Sequence, residues 1–289
     1  MAAFAITFLF ALFEGIKEDI MQNAFRYESG ELRIRHGEYD RYEYLNPVQY
    51  TVEDYQTLTD QLEGLPHAAF VIPRINVASA AFLQDRQIPA RGLGMDIERE
   101  LRSTGIDDLV VRGRLPNPGT SEAALGVRLA RELQVDVGDR VTFLTQTRTR
   151  GSNAFTVDVV GLVSFPVGAL DVTTYILPID QADRYLRMDG GASELFEVGS
   201  GRQTEQLYGE VSDHLVSQER ETLRAVRWEE ISAGYAYIEF ASVIYNIIAL
   251  FFFLLGSTVI INTTMMTIHE RTKEIGTLSS IGMRSSELV

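Results

Sequence analysis

The chain has 289 residues and 45% apolar composition, enough to build a substantial core, which excludes a disordered polymer and a disulfide miniprotein. Its 26 basic and 40 acidic side chains leave a net charge of −14, which argues against a general nucleic-acid binder, whose affinity comes from Lys and Arg neutralising phosphates. With no cysteine, disulfides, thiolate metal sites and cysteine nucleophiles are excluded together.

Met1 to Phe13 is uncharged and apolar, too short by itself for the roughly 17 residues of a membrane span. It lacks the basic start and small-residue cleavage site of a signal peptide, and it continues into an amphipathic pattern with Phe13, Ile16, Ile20 and Ala24 at helical spacing. We read residues 1–26 as the end of a first transmembrane helix, beginning outside this chain, and a stalk.

Residues 27–227 read as an α+β domain. Leu32, Ile34 and His36 alternate, as do Val141 with Phe143 and Phe155 with Val157 and Val159, which predicts short strands. Gly151-Ser152-Asn153 separates the last two runs like a hairpin loop, and Gly113, Pro116, Pro118 and Gly119 mark further turns. Helices are expected over 52–62, 126–133, 181–186 and 204–216. The glycines at 190–191 and 199–201 read as surface loop.

Trp228 to Glu239 carries Ile231, Tyr235 and Ile238 on one helical face and runs without a breaker into Phe240–Ile268, 29 residues without a charge. A bilayer core of about 30 Å needs about 20 helical residues, so residues 228–268 read as a stalk and a second transmembrane helix. A single helix from Glu229 to Arg271 would be about 64 Å long at about 1.5 Å per residue. Residues 14–239 hold 23 basic and 37 acidic residues, hence the whole negative charge, and the tail after the span is balanced. Charge therefore does not orient the chain.

Chemistry-bearing constellations are absent. The two lysines, Lys17 and Lys273, are each followed by Glu, so there is no P-loop, and no serine stands in a hydrolase signature. His36, His67, His214 and His269 show no metal-ligand spacing. The carboxylates read as a solvated acidic face, and the tyrosines at 39, 42, 44, 50 and 55 as strand and loop packing. We expect no catalytic, cofactor or metal site and no ATPase in this chain.

The segment Thr267 to Leu288 resembles the MacB/FtsX-type ABC transporter permeases. The family's pattern E-R-T-x-E-I-G-x-L-x-A-x-G is met by Glu270, Arg271, Thr272, Glu274, Ile275, Gly276, Leu278 and Gly282, with Ser280 in place of the alanine. Gly92 to Asp96, Gly113-Arg114-Leu115-Pro116, Glu122 to Gly126 and Val137-Gly138-Asp139-Arg140-Val141 are similar to its periplasmic core domain. The resemblance implies a MacB-like periplasmic domain flanked by transmembrane helices. It implies four such helices, two of them outside this chain, and a coupling segment over 269–289 that touches an ATPase. Glu270, Arg271, Glu274, Ile275, Gly276, Leu278 and Gly282 are then the expected coupling contacts.

By the same resemblance, ATP is used in a partner ABC ATPase subunit, the second permease subunit forms a homo- or heterodimer, and the location is the inner (cytoplasmic) membrane. Movements in the periplasm would release lipoproteins, as in the LolC/LolE branch, or export a substrate through a periplasmic adaptor, as in the MacB branch. The competing expectation is a membrane-anchored sensor or ligand-binding ectodomain without transport.

Overall fold

The computed structural model describes residues 2–42, 47–83, 86–166, 168–198, 204–231 and 233–281, in two units: Met21–Ala233, and a helical unit of Met1–Ile20 with Gly234–Val289. The larger unit is α+β, as expected, and a single set of strands organises it. These are β1 (Leu32–His36), β2 (Phe70–Leu83), β3 (Arg86–Met95), β4 (Val110–Gly113) and β5 (Glu122–Gly126), then β6 (Arg140–Gln146), β7 (Ser152–Val163), β8 (Thr174–Pro178), β9 (Glu194–Val198) and β10 (Leu223–Arg227).

Two strands are much longer than the short runs expected, and the reason is topological. β2 pairs with β9 through its first residues, Phe70 to Arg74, and with β6 through Ser79 to Ala81 near its other end. One half of β2 therefore belongs to an open sheet in the order β10-β1-β9-β2, and the other half helps close a ring, β2-β3-β8-β5-β7-β6. Closure removes sheet edges, and the interior fills with alternating side chains. Val77, Ala81, Leu125, Val141, Phe143, Val157 and Tyr175 form one buried cluster, with Phe143 stacked on Tyr175 at 4.0 Å between ring centroids. The Tyr175 hydroxyl pairs with Ser79 at 2.8 Å, and burial raises its pKa. Close packing also dictates Gly94 in β3, where a Cβ would collide with Ala182.

The hairpin of β6 and β7 forms where expected, with Gln146 opposite Ser152, so the loop is 147–151 and Ser152 and Asn153 are already strand. The expected helices become α3 (Tyr55–Glu63), α5 (Val127–Leu133), α7 (Ile179–Leu186) and α8 (Thr204–Ser217). Three more, α2 (Tyr39–Tyr42), α4 (Ile97–Ser103) and α6 (Gly168–Thr173), carry no strong sequence signal; Asp96 caps α4 by accepting from Arg99 N at 3.1 Å. α3 and α8 cover one face of the open sheet, burying Leu32, Ile34, Val71 and Leu195 against Leu58, Leu62, Leu207 and Val211. Gly190 has the positive φ of a turn, but Gly191 packs against Thr51 beside the Val52–Ala192 bridge and is not loose surface; 199–201 lie outside the described residues.

The other face of the open sheet corrects the sequence reading. Alternation in β1 puts Arg33 and Arg35 opposite the apolar face, yet both are buried, with Glu194, one of the carboxylates expected in solvent, among them. Glu31, Glu100, Glu194 and Glu197 are each 2% exposed or less, so four carboxylates leave the solvated acidic face.

In the helical unit, α1 (Ala2–Asn23) meets α10 (Ala233–Ser280) through Phe13, stacked on Tyr245 at 4.3 Å, and Phe10, edge-on at 4.9 Å. Helix is described on both sides of residue 232, as α9 (Trp228–Ile231) and as α10, which runs for 48 residues and past Arg271; residue 232, through which the expected single helix from Glu229 would pass, lies outside the described residues. Trp228 is buried and packs edge-on against Phe25 at 4.8 Å, which holds α9 to the larger unit.

Candidate functional site: the charged end of the long helix

Between Ile238 and Ser280 α10 is long and apolar enough to cross a membrane, and none of its most apolar window is buried by the protein. Phe251, Leu254, Val259 and Ile260 are 57–68% exposed, which water would penalise and hydrocarbon does not. Three of the hydroxyls inside this stretch are satisfied by the helix itself: Thr258 donates to Leu254 O, Thr263 to Val259 O and Thr267 to Thr263 O, all at 2.9–3.0 Å.

The first charges after the span are Glu270 and Arg271, and the helix continues through them without a break to Ser280. Arg271, Glu274, Ile275 and Leu278 stand at i, i+3, i+4 and i+7 and so share one helix face. Arg271 Nη1 reaches Glu274 Oε2 at 3.4 Å, and both side chains are exposed. Ile275 and Leu278 are 43% and 39% exposed, two aliphatic side chains flanked by a charge of each sign. Gly276 falls on the opposite face, with open space around it, and Glu270 lies at the margin. Of the seven expected contacts, four are thus brought onto one face, Glu270 and Gly276 are not, and Gly282 lies outside the described residues.

Elsewhere the ionisable groups are structural. Arg74 donates to Glu100 through Nε at 2.6 Å and Nη2 at 3.1 Å, and to Tyr27 O at 3.0 Å, while its guanidinium lies 4.3 Å from the Phe196 ring centre. Burial would raise the Glu194 pKa, but Arg33, Arg35 and the Asn76 amide hold it below the usual carboxylate range. Glu197 goes the other way: burial, helped by Glu31, pushes it up to about 7 against one hydrogen bond from Ala69 N. Glu122 is held down to about 2 by the two hydrogen bonds of Arg114. His67 pairs with Glu210 at 2.6 Å, and no group of three His, Asp or Glu among the described residues is placed to hold a metal ion.

The tyrosines divide. Tyr39 is buried with its hydroxyl accepting from Asn76, Tyr55 packs on the α3 and α8 core, Tyr42 and Tyr50 are half-buried and stack on one another, and Tyr44 lies outside the described residues.

Residues 246–289 match the family described as FtsX-like permease C-terminal, which covers α10 from Asn246 onward, with its charged end. The resemblance carried by Glu270 to Leu278 thus stands on the whole segment that bears them. No curated protein sequence matches the chain. Among solved structures, the extracellular domain of the noncanonic ABC-type transporter YknZ from Gram-positive bacteria is 13% identical. It aligns over 68% of this chain and 99% of its own, with a TM-score of 0.48. The periplasmic region of MacB from Actinobacillus actinomycetemcomitans is 12% identical, over 69% of this chain and 89% of its own, with a TM-score of 0.49.

Proposed function

We propose that the chain is the permease subunit of an ABC-type transporter that works by mechanotransmission. A partner ATPase moves the charged end of α10, and the helix relays that motion to the extracytoplasmic domain. The observation that carries this reading is the FtsX-like match over residues 246–289, on a helix whose span ends in one exposed face of Arg271, Glu274, Ile275 and Leu278. A face that pairs two aliphatic side chains with opposite charges suits a protein surface, where the aliphatics bury area and the charges set register.

In this reading residues 1–26 end a first transmembrane helix and stalk, 27–227 form the extracytoplasmic domain, 228–268 the stalk and second span, and 269–289 the coupling segment. Glu270 borders this face, and Gly276 on the other side of the helix and Gly282 beyond it leave room for close approach of the partner around the helix. The chain sits in the inner (cytoplasmic) membrane beside a second permease subunit and has no catalytic role of its own. Its work is lipoprotein release or export of a substrate toward the outer membrane.

The test is purification of the full-length gene product in detergent, asking whether a Walker-motif ATPase co-purifies. We expect one, and expect it to be lost when Glu274→Lys and Gly276→Trp are combined while the protein still folds. Absence of any ATPase from the unaltered protein would sink the permease reading and favour a membrane-anchored sensor.

A further inference from the structure

In the larger unit β1 leads away from the point where the chain enters, and β10, antiparallel to it, leads back toward Ala233. The loops at the opposite end of the sheet are tied to one another. Arg148 donates through its backbone to Leu186 O at 2.8 Å, and through its guanidinium to Met188 O at 3.2 Å and Glu53 Oε1 at 2.8 Å. Arg220 donates to Glu53 O at 2.9 Å. Five non-glycine residues of this cluster have φ between 49° and 61°: Asp54, Arg150, Arg187, Asp189 and Glu219. Left-handed backbone is costly for residues with a Cβ and persists where the surroundings over-determine it.

A cleft of about 460 Å³ opens in this cluster, beside a second of about 360 Å³ that shares Gln49. The larger one has the volume of an ordinary small-molecule site. Its floor is the buried Pro47, Val48 and Thr147. Its wall is the stacked pair Tyr42 and Tyr50, 5.8 Å between centroids and 24° apart, backed by His36 at 4.8 Å from Tyr50. Gln49, Gln146 and Arg150 complete the rim, all exposed. Arg150 is the sole charge lining this cleft among the described residues, and it makes no ion pair with any of them. The hairpin fixes it: Arg150 N donates to Thr147 O at 2.8 Å and Thr147 N to Gly151 O at 2.8 Å.

We propose that this cleft binds an acidic saccharide, a sugar ring carrying a carboxylate. Each part of the lining answers one part of such a ligand. The C–H face of a sugar ring packs on a tyrosine ring. Two carboxamides offer donors and acceptors side by side, which suits vicinal hydroxyls that are themselves both. A guanidinium with no ion-pair partner among the described residues takes a carboxylate bidentately. A flat aromatic acid would satisfy Arg150 and leave Gln49 and Gln146 without use. Among the described residues no other charged side chain lines this cleft.

The test is calorimetric titration of the full chain in detergent with three probes: a glucuronate-containing disaccharide, the neutral glucose disaccharide and benzoate. Saturable binding of the acidic disaccharide, about tenfold or more tighter than the neutral one, is expected from a charge-assisted bidentate contact. Arg150→Asn keeps a residue that tolerates left-handed backbone and should bring the acidic sugar down to the affinity of the neutral one. Tyr42→Ala should weaken both sugars together. Equal affinity for the two disaccharides, an unaltered preference in Arg150→Asn, tighter binding of benzoate than of the acidic sugar, or no saturable binding of either sugar would each overturn the proposal.

Discussion

Arg74 and Glu100 are both buried and bonded through two hydrogen bonds, so removing either leaves the other as an uncompensated charge. Arg74→Met should cost about 3–5 kcal/mol, read as a loss of denaturant midpoint, whereas Arg271→Met at the exposed pair with Glu274 should leave unfolding of the larger unit unchanged. Glu197 gives the pH dependence. Its pKa stands at about 7 in the folded domain against 4.5 unfolded, because burial, reinforced by Glu31, disfavours the charged form. The folded state therefore holds a proton that the unfolded chain has released. Stability is greatest below 4.5 and falls as pH rises through about 7, by roughly 3 kcal/mol from this group. Thermal unfolding followed from pH 5 to 7.5 should show that decline in the unaltered protein and lose most of it in Glu197→Gln; parallel curves would refute the assignment. Neither residue was legible in the sequence. Alternation in β1 reports two faces, but an arginine on the second face looks the same whether water or Glu194 and Phe196 lies beyond it.

At the scale of elements, backbone approach separates glycines that matter from those that do not. β7 passes β4 so closely at Gly161 that a Cβ would collide with Arg114 O. Gly161→Ala should destabilise by about 1–3 kcal/mol, since one strand must move. Gly209 sits inside α8 with nothing near it, and Gly209→Ala should stabilise by about 0.5–1 kcal/mol through helix propensity. Chemical denaturation of the two variants checks both signs. The same reasoning applies to the end of α10. Glu274→Lys with Leu278→Asp alters the shared face, whereas Thr272→Asp lies outside it, on the flank of the helix. In the co-purification assay the first should abolish the ATPase and the second should retain it. The helices at 126–133, 181–186 and 204–216 were legible because apolar residues at i, i+4 and i+8 or a preceding proline mark them locally. The length of β2 was not, because no local pattern says that one strand serves two sheets.

For the whole molecule, the buried clusters lie within residues 21–233, which need no helix beyond the entering stalk to enclose them. That segment, produced alone, should unfold in one cooperative transition and retain the Glu197 pH dependence; a transition only in the full chain would show that the membrane helices complete its core.

The sequence by itself determined what depends on neighbours along the chain. It showed the uncharged span from Phe240 to Ile268, the Glu270 to Leu278 pattern, the absence of a P-loop and the α+β character. Hydropathy, motif and periodicity are properties of contiguous residues, and they need no fold to be read. Tertiary structure alone decided which charges are buried, that six strands close into a ring, and that Tyr42, Gln49, Gln146 and Arg150 meet at one cleft. Those facts depend on residues about a hundred positions apart in the chain. Such pairings are fixed by how whole strands pack and by which groups lose water together, and no local pattern records either.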